Sequence, residues 1–171
     1  MNILKTATDW AKAEFFSTPF FIFFGIAFIL ASIGFWQLGK TDLAKVYSIP
    51  TLVAGVLLMI IGLGLFFTNK SRIIQFEIAY NSDKLAFVES ELERAEATLK
   101  EYQTIVFKAI PLIIAICAIM IIFVSTPIWR ASMITTIAML TVILLIDGTA
   151  YARIDAYNQE LRLAKKELKT E

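Results

Sequence analysis

The chain has 171 residues, a formal charge of +1, a single cysteine and no histidine, and 58% of it is hydrophobic. Ordinary soluble domains are about 45–50% apolar, so the composition indicates an integral membrane protein. The near-zero charge provides no bulk field for nucleic acid. The missing histidine removes the commonest general acid/base and metal ligand, and Cys117 alone cannot close an internal disulfide.

Residues 1–16 predict a short amphipathic helix at a membrane interface. Ile3, Leu4, Ala7, Trp10, Ala11 and Phe15 share one face, and Lys5, Thr8, Asp9 and Lys12 another. Ser17-Thr18-Pro19 then reads as a cap followed by a first-turn proline, starting a first span at about 19–38. Trp36 and Gln37 mark its far interface. A short polar connection leads to Pro50 and a second span at about 51–67. Residues 17–68 are thus the first transmembrane hairpin. Its small residues Gly25, Gly55 and Gly62 mark places where helices can approach closely, because no side chain holds the backbones apart.

Residues 69–106 predict a cytoplasmic helical segment, broken and recapped at Asn81-Ser82-Asp83. From there Leu85, Val88, Leu92, Ala95, Leu99, Tyr102 and Val106 alternate steps of three and four, the seam of a helix that packs on another helix. Pro111 predicts a kink or restart between Phe107 and Pro111. Residues 107–147 form a second transmembrane hairpin, with spans at about 107–124 and 128–146. Its turn is Ser125-Thr126-Pro127, the same tripeptide that opens the first span. Residues 148–171 form a C-terminal helix in which Ile154, Tyr157, Leu161, Ala164 and Leu168 make a second seam.

The predicted fold is therefore all-α: a polytopic membrane protein with four transmembrane helices, an N-terminal amphipathic interfacial helix and a cytoplasmic antiparallel helical stalk. Thirteen of the sixteen Lys and Arg fall on the side holding both termini. The positive-inside rule places that side in the cytoplasm, here of a bacterial inner membrane. In the simplest antiparallel register, residues whose numbers sum to 256 face each other: Tyr102 with Ile154, Leu99 with Tyr157, Ala95 with Leu161, Leu92 with Ala164, Val88 with Leu168. Pairing between subunits, or a helix with no partner, are the alternatives.

No catalytic, cofactor-binding or metal-ligating motif is present, and no enzyme activity is expected. Glu89, Glu91, Glu93 and Glu96 read as a solvated helix face. Thr135, Thr136 and Thr141 give the fourth span hydroxyl groups, and Asp147 closes its cytoplasmic end. Together they are candidates to line a pore formed by several subunits. In layout alone, the helix–span–span–helix of residues 83–171 is similar to small pore-forming membrane effectors of bacterial defence systems. The expected function is a homo-oligomeric channel or pore-forming component. The alternative is a non-conducting membrane scaffold whose cytoplasmic helices bind a protein partner. The bilayer and further copies of the chain are the expected partners.

Overall fold

The computed structural model describes residues 3–170. Its elements are α1 (Ile3–Leu38), α2 (Asp42–Val46), α3 (Ser48–Ser82), α4 (Lys84–Glu101), a π-helical segment (Tyr102–Ala109), α5 (Ile110–Phe123) and α6 (Pro127–Thr170). There is no strand among the described residues. Four helices, 3–38, 42–82, 84–123 and 127–170, are long and apolar enough to cross a membrane.

Two packed regions divide the molecule along its length. At one end lie the start of α1, the end of α3, α4 and the end of α6, so both ends of the described chain are there. Ile3, Ala7, Trp10, Ala11, Phe76, Phe87, Val88, Ala95, Ile154, Tyr157, Leu161 and Ala164 form its core, with Leu92, Leu99, Tyr102 and Leu168 against it. Further along, Phe21, Leu58, Val142 and Ile146 form a second core from α1, α3 and α6. Helix α5 contributes to neither core. It leans on α6, and most of its apolar side chains are exposed.

The N-terminal segment differs from the expectation. Its apolar face does not lie free for an interface: Ile3, Ala7 and Ala11 are at most 2% exposed, packed inside the terminal bundle. Nor does a helix begin at Ser17-Thr18-Pro19. α1 runs straight through, and the Ser17 and Thr18 hydroxyls donate to the carbonyls of Ala13 and Glu14 in their own helix. Tertiary burial of residues 3–11 keeps this first stretch helical, so the proline falls inside a helix. At the second tripeptide the chain behaves as expected: α5 ends at Phe123 and Pro127 opens α6.

Asp83 breaks and recaps the chain. It is extended (φ −155°, ψ 109°) and its carboxylate accepts from the Ala86 N–H at 2.9 Å. The disturbance predicted near Pro111 takes the form of the π-helical segment. It spans residues 102–109, and the Ile110 N–H reaches back to the Ile105 carbonyl, an i→i−5 bond. The wider turn accommodates a proline that cannot donate to the turn before it.

α4 and the end of α6 run antiparallel within one chain. Glu89 pairs with Lys165 at 3.0 Å and Glu96 with Arg162 at 2.9 Å. Those numbers sum to 254 and 258, on either side of 256. The α4 face is rotated from the predicted seam: Phe87, Val88, Glu91 and Ala95 are buried, while Leu85 is 37% exposed. A two-helix seam is narrow, whereas a helix inside a four-helix bundle buries a stripe of 100° or more. The same rotation takes Glu91 out of the predicted solvated face and into the core.

Glu89 remains solvent-accessible. Its hydrogen bond from Lys165, aided by Lys169, holds its carboxyl below the usual range near 4.5. A lowered folded value means that the pair's contribution is present above pH 4.5 and is lost as pH falls through the folded value. A Glu89→Gln variant should therefore melt slightly below wild type near neutral pH and converge with it in acid. Thermal scans across that range check this, and screening keeps the gap small.

Candidate functional site

Between the two cores lies a cavity of about 390 Å³, bounded by α1, α3, α4, the π segment and α6. α1, α3 and the α4–π chain enter it with the same gradient, and α6 carries its one charge, Asp147, near the apolar end. On α1 the order is Trp10, Glu14, Ser17, Thr18, Phe21; on α3 it is Arg72, Asn69, Leu65, Ile61. The chain from α4 into the π segment supplies Arg94, Thr98, Glu101, Tyr102, Ile105 and Val106. α6 supplies Ile154, Ala150, Asp147, Ile146 and Ile143. Polar walls at the terminal end thus give way to an apolar floor.

Cross-helix contacts fix the levels. The Trp10 ring stacks on Tyr157 (4.9 Å between centroids, 7° between planes). The Arg94 guanidinium lies 4.5 Å from the Trp10 centroid and that of Arg72 5.8 Å away. Lower down, Arg153 donates to Glu14 at 2.9 Å and to the Ser17 hydroxyl at 2.8 Å. Asn69 then donates to Thr18 at 3.4 Å and accepts from Arg72 at 3.0 Å.

Glu91 holds the upper end together. It accepts from Arg94 through both oxygens and from the Tyr157 hydroxyl at 3.0 Å. Burial first, then the Glu91 charge, push the Tyr157 phenol up, so it stays protonated and donates. Burial first and then the neighbouring Arg94 push Arg72 down, against the weaker opposing pull of Glu91 and Glu14. Arg72 and Asp147 have no ion-pair partner among the described residues. The Trp10 indole nitrogen is buried without a hydrogen-bond acceptor.

The residues singled out from the sequence are distributed as follows. All ten seam residues, Val88 to Tyr102 and Ile154 to Leu168, lie in or against the terminal core. Gly25 and Gly55 face each other across α1 and α3, and Gly62 lies against Phe21 and Ile22. Asp147 lines the cavity. The three threonines do not form one stripe. Thr135 is buried, while Thr141 is exposed and donates to the Ile137 carbonyl of its own helix at 2.8 Å. Six residues along a helix turn Thr141 about 120° away from Thr135.

Trp10, Glu14, Arg72 and Arg94 escaped the sequence reading as site residues. The available signal was Trp10 on an apolar helical face, read there as a lipid anchor. Arg72 and Arg94 lie in separate segments, and only the fold brings them over one ring. Among the described residues no three carboxylate or thiol side chains converge as metal ligands. Comparison of the chain with family models, with curated proteins and with solved structures finds no match. The Ser17 hydroxyl accepts from Arg153 and donates to its own helix.

Proposed function

We propose that this chain is a four-span membrane protein, both termini cytoplasmic, that binds a small ligand where its helical head meets the membrane. The observation carrying this reading is the cavity itself, which combines partly buried charges, an orphaned indole N–H and an apolar floor. A structural core does not leave such groups uncovered without cost, whereas a ligand site requires them. The ten predicted seam residues pack within one chain.

Native mass spectrometry of the protein released from membranes tests this. A bound small molecule is expected on wild type and absent from Ala150→Phe and Thr98→Phe, which fill the space. Bare protein in all three, with equal melting temperatures, would remove the reading.

An oligomeric pore is the second reading, and a separate observation supports it. Ile134, Ala138, Thr141, Leu145 and Gly148 recur at steps of four and three along an exposed face of α6. Such a face with small residues suits contact with further copies. Subunit counting in nanodiscs and ion flux in liposomes test it: a closed ring with flux supports it, and a non-conducting monomer ends it.

A further inference from the structure

The charges in the cavity are ordered along its axis. Trp10 lies at the level of Tyr157, Glu14 at that of Arg153, and Phe21 shares the second core with Ile146. From Trp10 to Phe21 the α1 axis rises about 16 Å. Asp147, next to Ile146, therefore lies near the apolar floor, and Arg72 and Arg94 lie at the far end over Trp10. Tyr102 sits toward the acidic end. Its ring meets that of Tyr151, one helical turn from Asp147, and Tyr102, Glu14 and Asp147 line the same cavity. Glu101 lines the same wall. Arg153 already engages Glu14, and Arg94 engages Glu91. Arg72 above and Asp147 below have no ion-pair partner among the described residues.

The cavity also has a side opening. α3 contacts neither the π segment nor α5. Ile61 and Leu65 of α3 and Ile105 of the π segment line the cavity while remaining exposed. With the spans in a bilayer, that window faces hydrocarbon. A ligand entering there brings an alkyl chain, and its polar group reaches Asp147 before the arginines.

Resting on the binding reading above, we infer that the cavity takes a zwitterionic amphiphile whose cationic group lies between the alkyl tail and the anionic group. The ammonium sits between Asp147 and the Tyr102 ring. The anion sits at Arg72 and Arg94 and accepts the orphaned Trp10 N–H. Common glycerophospholipids carry the reverse order, phosphate next to the tail and amine outermost. They would set phosphate against Asp147 and amine against Arg72, so the site excludes the bulk lipid around it.

The full chain, purified in a maltoside detergent with Trp36→Phe and Trp129→Phe, leaves Trp10 as the sole tryptophan reporter. Dodecyl sulfobetaine, which has the alkyl–ammonium–sulfonate order, is titrated against dodecylphosphocholine, which has the alkyl–phosphate–ammonium order. Sulfobetaine is expected to change Trp10 emission saturably and to raise the melting temperature, and phosphocholine to do neither. Arg72→Gln and Asp147→Asn should each weaken sulfobetaine binding about tenfold or more. Dodecyltrimethylammonium, which lacks the anion, should still bind Arg72→Gln and be lost by Asp147→Asn; a merely structural role would not produce that split. Circular dichroism checks that each variant folds, and Arg72→Lys serves if the glutamine variant does not. Equal or tighter phosphocholine binding would overturn the charge order and leave the binding reading intact. Saturation by inorganic phosphate alone would reduce the site to an anion site and overturn the amphiphile. No response to any probe, with no adduct in native mass spectrometry, would remove both readings.

Discussion

Gly55→Leu is expected to separate α1 from α3 and to destabilise the fold by about 1–3 kcal/mol or more. Even a first side-chain carbon at Gly55 would lie 2.8 Å from Ile29 Cγ1, 2.9 Å from the Gly25 carbonyl oxygen and 3.0 Å from the Ile29 nitrogen. Two of those neighbours are backbone and cannot swing aside, so the helices must move apart. The contact is reciprocal: a carbon at Gly25 would meet Met59 Cγ at 2.7 Å and the Gly55 carbonyl oxygen at 3.0 Å. Separation would also loosen Gly62 from Ile22 and the cross-helix bond from the Ser32 hydroxyl to the Ser48 carbonyl at 2.6 Å. If the pair spans a bilayer as proposed, no hydrophobic drive restores it, since lipid solvates apolar faces as well as a helix does. Gly64→Leu is the control, because a side-chain carbon there meets nothing within 4 Å. Thermal scans in one detergent should show a lowered midpoint for Gly55→Leu and little change for Gly64→Leu. Equal behaviour of the two would refute the close-contact account.

Trp10→Ala is expected to cost about 3–5 kcal/mol, the range for removing a buried aromatic side chain. Trp10 is 8% exposed, with Tyr157 stacked on it and two guanidinium groups within 6 Å of its centroid. Its loss opens a void and removes the ring that spreads the charge of Arg72 and Arg94, leaving like charges facing a gap. In a chain of this size the midpoint should fall by roughly 6–12 °C or more. Trp10→Phe keeps a stacking partner for Tyr157 and should recover part of the loss. If the N-terminal stretch were a surface anchor instead, Trp10→Ala would reduce membrane partitioning and leave the melting temperature unchanged. Melting and vesicle partitioning measured on the same sample decide between these outcomes.

The two Ser-Thr-Pro tripeptides show where a sequence signal stops being local. Both carry the same capping chemistry and the same fixed proline torsion. Before Pro127 lies the exposed end of α5, where nothing holds the chain helical, so the cap and break appear. Before Pro19 lie Ile3, Ala7, Trp10 and Ala11, buried on three other helices, and their packing outweighs the proline's missing bond. The seam on α4 gives a second case. Steps of three and four are legible in Val88, Leu92, Ala95 and Leu99, and these do pack. Which flank of the seam is also buried depends on how many helices surround it. Glu91 went in and Leu85 stayed out because α1 and α3 joined the pair.

What the amino-acid order determined by itself was the all-α class, the four apolar helices, the Asp83 break and the places of close helix approach. Those follow from hydropathy, proline and cap chemistry, and the absence of side chains at glycine, all of which act over a few neighbouring residues. What only the tertiary structure decided was the fate of the N-terminal helix, the burial of Glu91, and the gathering of Trp10, Arg72, Arg94 and Asp147 around one cavity. Those residues are tens of positions apart, and no local periodicity encodes which helix faces meet. Their common environment exists only once four helices are packed, because it is the space those helices leave between them.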